Sequence, residues 1–143
     1  MIEKNDIICA VTDAIGTNGE GIIRHEGITF FVPACLPGER VTVKVLKVKG
    51  NIGYGKVEEI LTPAEERVRA KCPVFGKCGG CQLQHVKYAN QLKIKEDALT
   101  ITFKKVAGIE VKVKSMVKGD NEFRYRNKLQ LPVARGKYGT EIG

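Results

Sequence analysis

Three cysteines lie within ten residues of this sequence, Cys72, Cys78 and Cys81, and they have the greatest chemical reach of any side chains in it. Only two residues separate Cys78 from Cys81, so one tight turn can present both thiolates to a single metal centre. Gly79 and Gly80 supply the backbone freedom such a turn needs. Cys72 can reach the same centre across the loop of residues 73–77. Thiolates so spaced select soft metals, chiefly zinc or an iron–sulfur cluster. Lys71, Lys77 and Lys87 nearby favour the thiolate form. Spacing alone leaves three readings open: a [4Fe–4S] cluster whose fourth ligand lies elsewhere, a Cys3His zinc site completed by His85, and surface thiols with no metal. His85 also has a plain reading as a residue packed at the start of the following helix. Cys9 and Cys35 stand alone among apolar residues and read as buried small hydrophobes. The odd cysteine count argues against a disulfide framework.

The second chemical signal is charge. The formal net charge of +8 is unevenly spread: residues 1–64 hold seven Lys/Arg against eight Asp/Glu, and the remainder seventeen against eight. A basic excess of that size favours a polyanionic partner, because displacing counterions from phosphates drives association. The candidate phosphate contacts are Arg24, Lys44, Lys47, Lys49 and Lys56 in the first part and Arg124, Arg126 and Lys128 in the second. The last three alternate, so an extended segment projects them to one face. Tyr54 reads equally as a stacking platform and as a core residue, and Phe75, inside the cysteine loop, as a shield for a cluster or a nucleic-acid contact.

These residues need elements to position them. The first sixty residues read as five short strands. Asp6 to Ile15 is the first, and Glu20–His25 and Ile28–Val32 flank a hairpin turn at Glu26-Gly27. Val41, Val43, Val45 and Val48 interleave with lysines in near period-two spacing, and Gly50-Asn51 turns the chain into a strand from Tyr54 to Leu61. Five such strands suggest an all-β, five-stranded barrel of the oligonucleotide-binding type over residues 1–62. A linker at Thr62–Arg67 leads into a second, partial α+β unit over residues 63–143. It holds a helix from Tyr88 to Val106, with Leu92, Leu99, Phe103 and Val106 on one face and Gly108 as C-cap. Strands are expected at Ile109–Val113 and Lys128–Val133. No apolar run reaches the roughly 18–20 residues of a membrane span, and the N-terminus lacks a signal-peptide pattern. The expectation is a cytoplasmic protein.

Three segments resemble a known family. Gly19–Gly27, Phe31-Val32-Pro33 and Leu36–Glu39 look like a TRAM domain. The stretch from Cys72 to His85 is similar to the iron–sulfur segment of bacterial uridine-C5 RNA methyltransferases, and Phe123–Lys128 resembles the start of that family's central sheet. The resemblance implies a three-part enzyme: an RNA-binding TRAM barrel, a central domain with a [4Fe–4S] cluster on Cys72, Cys78 and Cys81, and a Rossmann-like domain that uses S-adenosylmethionine. It implies 5-methyluridine as the product, in ribosomal or transfer RNA, with no DNA or membrane partner. It further implies that the fourth cluster ligand, the catalytic cysteine and the base lie outside these residues, so that none of the five cysteines here is the nucleophile and the chain alone does not methylate. A standalone RNA-binding module with a Cys3His zinc is the alternative.

Overall fold

The computed structural model describes residues 2–128 and 130–142. Its first part is one six-stranded sheet: β1 (Ile7–Val11), β2 (Ala14–Ile15), β3 (Gly21–His25), β4 (Ile28–Val32), β5 (Arg40–Lys49) and β6 (Ile52–Thr62), in spatial order β1-β5-β6-β4-β3-β2. Six strands replace the five expected because the run from Asp6 to Ile15 divides. Thr12 N–H leaves the ladder for the Glu39 carbonyl and Asp13 N–H goes to Ile22, so the chain stops pairing with β5 and begins pairing with β3. That one corner carries a continuous run from one edge of the sheet to the other and curls the sheet toward a barrel. The Glu26-Gly27 turn forms as expected, with φ of 47° and 77°, the positive pair that two-residue hairpins favour.

The core follows the valine pattern. Val41, Val43 and Val45 are fully buried with Ile23, Phe30, Val32 and Cys35. Val48 is out of phase by one residue, and a register shift between Val45 and Lys47 absorbs Leu46 as a bulge, so that Val48 still packs on the core while Lys47 and Lys49 stay outside. Gly53 and Gly55 have a packing reason. A Cβ on either would collide with Phe30 or Val43, so bare backbone is what lets those side chains fill the interior.

The second part hangs from the first by a buried ion pair. Glu39 is fully buried, and its carboxylate accepts hydrogen bonds from Leu36 N–H at 2.8 Å, Ala64 N–H at 3.1 Å and Arg67 Nη2 at 2.7 Å, with Arg67 Nε as a further short contact. Arg67 Nη2 also donates to the Ala34 carbonyl at 2.6 Å. The Thr62–Arg67 stretch is thus a fastened connection and not a free linker. From there Val68 N–H bonds the His85 carbonyl and Lys87 N–H bonds the Glu66 carbonyl, both at 2.9 Å, so the cysteine loop is closed at its base.

Beyond the loop, α1 spans Tyr88–Thr102 and continues as a π-helical turn over Phe103–Ala107, ended by Gly108 at φ 67°. None of its described side chains is buried, and the expected apolar face lies open at Leu99, Phe103 and Val106. Residues 109–113 are irregular and not a strand, because no neighbouring strand among the described residues takes up their backbone hydrogen bonds. The strand expected at Lys128–Val133 is displaced: Leu129 lies outside the described residues, and the extended pairing is instead a hairpin of β7 (Val133–Gly136) and β8 (Gly139–Ile142).

Breaking the ion pair strands a buried carboxylate, so Arg67→Met is expected to cost about 3–5 kcal/mol in urea unfolding. Burial by itself opposes ionisation of Glu39, but the hydrogen bonds from Arg67, Ala64 and Leu36 outweigh it and hold the carboxyl below its ordinary value. Its contribution is complete above the unfolded carboxylate pKa of about 4.3 and falls away as pH drops through the lower folded value. Unfolding midpoints of wild type and Glu39→Gln measured from pH 6 to pH 3 should converge. Parallel curves would disprove the assignment.

Candidate nucleic-acid interface and cysteine loop

The register of the sheet determines which barrel side chains share a surface. On the outer face Arg24 lies beside Thr29, Thr29 beside Ile52 and Ile52 beside Lys49, forming one cross-strand row. The next row runs Ile22, Phe31, Tyr54 and Lys47, and the row after it sets Lys56 beside Lys44. All five basic residues singled out in the first part, Arg24, Lys44, Lys47, Lys49 and Lys56, therefore occupy adjacent rows of one face. Tyr54 is 48% exposed, which excludes the core reading, and its ring lies 6.1 Å from Phe31. Phe31 escaped the sequence reading, although its period-two phase with buried Phe30 and Val32 marks it as outward. Two rings ringed by lysines can stack bases while the ammonium groups meet phosphates. Arg24 is partly spoken for by Asp13, which lies 3.9 Å from its guanidinium and accepts its backbone N–H at 2.7 Å.

In the second part, the expected alternation of Arg124, Arg126 and Lys128 on one face of an extended segment does not form. Arg124 takes a left-handed conformation at φ 58°, which breaks the period of two. Arg124 and Arg126 nevertheless line one cleft, about 720 Å³ in volume, and Lys128 does not. The cleft lies between the β2–β3 turn at Thr17–Gly19, the Gly80–Gln84 end of the cysteine loop, α1 and residues 122–126. At Gly19, φ 85°, an added side chain would press on Gln82 and Leu83, so the turn and the loop meet there in close contact.

The cysteine loop is tied by one side chain. Gln84 accepts Cys72 N–H on Oε1 at 3.0 Å and donates from Nε2 to Cys81 Sγ at 3.4 Å, holding the loop's first and last cysteines together. Gly80 N–H points at Cys78 Sγ, also at 3.4 Å. All five cysteines are free thiols, and among the described residues no set of three or more His, Cys, Asp or Glu stands in metal-holding geometry. The donor chemistry fits a soft metal, with three thiols on one loop and two N–H donors aimed at sulfur. The sulfurs must still draw together to share a centre.

His85 sits elsewhere. It is 2% exposed and packs on Phe75, ring centroids 5.3 Å apart. Burial, reinforced by the Arg67 charge, pushes its pKa down to about 4, so it is neutral at pH 7. Its two ring nitrogens find no partner among the described residues. The packing reading therefore describes His85 in this structure, and Phe75 is turned to the same contact. Cys35 is the buried small residue expected, its thiol pushed up to about 11 by burial. Cys9 is not: it points outward from edge strand β1 and is exposed.

Residues 11–57 match the TRAM domain family. With the TRAM domain at its front, the chain is 39% identical over 142 residues to a protein of Clostridium tetani named uncharacterized RNA methyltransferase, covering 99% of this chain and 31% of that protein. A relative of the same description from Halalkalibacterium halodurans is 37% identical over 143 residues, again covering 99% and 31%. The chain thus spans about a third of the length of the curated relatives it matches. Among solved structures, it is similar to the Pyrococcus abyssi tRNA (uracil-54, C5)-methyltransferase crystallised with S-adenosyl-L-homocysteine, at 28% identity and a TM-score of 0.50, covering 77% of this chain and 24% of that one.

Thiol reactivity checks the placement of the cysteines. In metal-free chain at pH 8, maleimide should label Cys9, Cys78 and Cys81 quickly and Cys35 only after denaturation, as read by peptide mass spectrometry.

Proposed function

We propose that this chain is the RNA-binding part of an S-adenosylmethionine-dependent RNA (uracil-C5-)-methyltransferase, and that its TRAM barrel holds RNA across the face carrying Phe31 and Tyr54. The observation that carries the binding half is the convergence of five basic residues on adjacent rows around two rings. Lys44, Lys47, Lys49 and Lys56 supply phosphate contacts with little sequence preference, and Arg24 adds a guanidinium at the edge of the same face. The activity half rests on the names of the relatives and on the Pyrococcus abyssi enzyme. Ribosomal or transfer RNA is the substrate class, and methylation belongs to residues beyond this chain.

Cys72, Cys78 and Cys81 would hold a [4Fe–4S] cluster together with one ligand from outside these residues. The donor set and the N–H groups at Cys78 and Cys81 support that reading. When bound, such a cluster supplies a rigid anchor for the loop. Gln84, bonded to the Cys72 backbone and the Cys81 sulfur, would tie the two ends of that ligand set to each other. Arg124 and Arg126 extend the basic surface next to the loop.

Fluorescence titration of the chain with RNA at rising salt tests the binding half. Affinity should fall steeply with salt, and Lys47→Ala with Lys56→Ala should flatten the log–log slope by roughly 0.7 per lost contact on single strands. Tyr54→Ala should weaken binding by about 1–3 kcal/mol. Wild-type affinity and salt slope in both variants would defeat the barrel-face assignment. For the cluster, anaerobic reconstitution of the complete protein should give about four irons and four sulfides per chain and lose them in Cys78→Ser. One zinc and no sulfide would defeat it.

A further inference from the structure

The cleft beside the cysteine loop is a second feature, separate from the barrel face: none of Arg24, Lys44, Lys47, Lys49 or Lys56 lines it. We infer that it binds an unpaired stretch of the RNA strand, a reading that rests on RNA being the partner of this protein. Three kinds of side chain converge there. Lys95, Arg124 and Arg126 bring positive charge against the single carboxylate of Glu122. Tyr88, Phe123 and Tyr125 bring rings, and Tyr125 is 68% exposed. Gln82 and Gln91 bring amides that can both donate and accept.

That combination suits one ligand chemistry. Cations with rings and amides match phosphates, base faces and base edges, the three things an unstacked polynucleotide presents. A duplex hides its base faces in its own stack and could use only the charges. A small anion would leave the rings and amides idle. Leu83, Ile94 and Ala98 add apolar surface beside the rings, against which base faces can also pack. Two details add weight. The rings already lie under cations, Lys71 at 4.3 Å from the Phe123 centroid and Lys118 at 6.0 Å from that of Tyr88, so each aromatic face sits in a positive field. Arg124 stands at φ 58°, a conformation a non-glycine residue adopts at a cost, and both it and Arg126 line the cleft. Because the walls come from the barrel turn, the cysteine loop, α1 and residues 122–126, one bound strand touches four segments. The state of the cysteine loop then bears directly on the grip.

The test compares three proteins, each in its complete form: wild type, Arg124→Gln/Arg126→Gln, and Lys47→Ala/Tyr54→Ala. Each is titrated with single-stranded and with hairpin-stem RNA, and wild type is photocrosslinked to a 4-thiouridine-substituted single strand. The cleft variant should lose about tenfold in single-strand affinity, with a salt slope shallower by roughly 1.4 for two lost contacts, and lose clearly less on the stem. Crosslinked peptides should include Tyr88, Phe123 or Tyr125. If crosslinks fall only on the barrel and the cleft variant binds single strands as wild type does, the inference is overturned while RNA binding by the barrel stands. If wild type binds neither RNA at low salt, both readings fail together.

Discussion

The carboxylate of Glu39 is the point on which the rest of this molecule turns. It is fully buried, which is costly for a charge, and it persists because Arg67 and two backbone amides surround it. Those partners come from different places. Leu36 belongs to the loop before β5, while Ala64 and Arg67 follow β6. One side chain thereby closes the mouth of the barrel and fastens the outgoing chain to it. An apolar pair of similar volume could fill the same space, but it would not fix direction. Hydrogen bonds to both carboxylate oxygens do, and they aim the segment that carries the cysteines.

From that anchor the geometry propagates by short steps. Arg67 and Val86 form an isolated antiparallel bridge, flanked by the Val68–His85 and Glu66–Lys87 backbone bonds, so the intervening loop leaves and returns at one place. Val86 and His85 are buried beside it, which holds the base of the loop while Cys78 and Cys81 stay open to solvent. Gln84 then gathers the two ends of the cysteine run. A rigid base with a solvent-facing tip lets thiols meet a metal or a partner without disturbing the barrel core. His85 stays neutral there, its two ring nitrogens without a hydrogen-bond partner among the described residues, so its ring acts as a packing element of the loop base.

The two basic surfaces differ in kind. On the barrel, positive charge is laid out by sheet register, so its spacing is that of neighbouring strands and its chemistry suits a backbone passing over a flat face. At the cleft, charge, rings and amides come from segments with no regular relation, and their meeting depends on how those segments pack. The helix contributes to that cleft with one side while the side carrying Leu99, Phe103 and Val106 remains open. Its stability therefore owes little to burial within these residues.

Period-two spacing on β5, turn residues at Glu26-Gly27 and Gly50-Asn51, and a glycine at the helix end were enough to place most elements from sequence alone, because each is a local steric preference. The cysteine spacing and the charge asymmetry were as legible there, as the expectations of a soft-metal site and of a polyanionic partner. Tertiary structure decided the rest. Period-two spacing cannot tell that Thr12 and Asp13 turn one strand into two, since that depends on which neighbour takes each N–H. It cannot tell that Cys9 faces out and Cys35 in, because a lone thiol among apolar residues has no phase of its own until strands pair. Nothing local marks Glu39 and Arg67 as partners across 28 residues of sequence. Nor does a sequence pattern reveal a cleft whose walls come from four separate segments. Such features arise from contacts between distant residues, and only the folded chain brings those residues into reach.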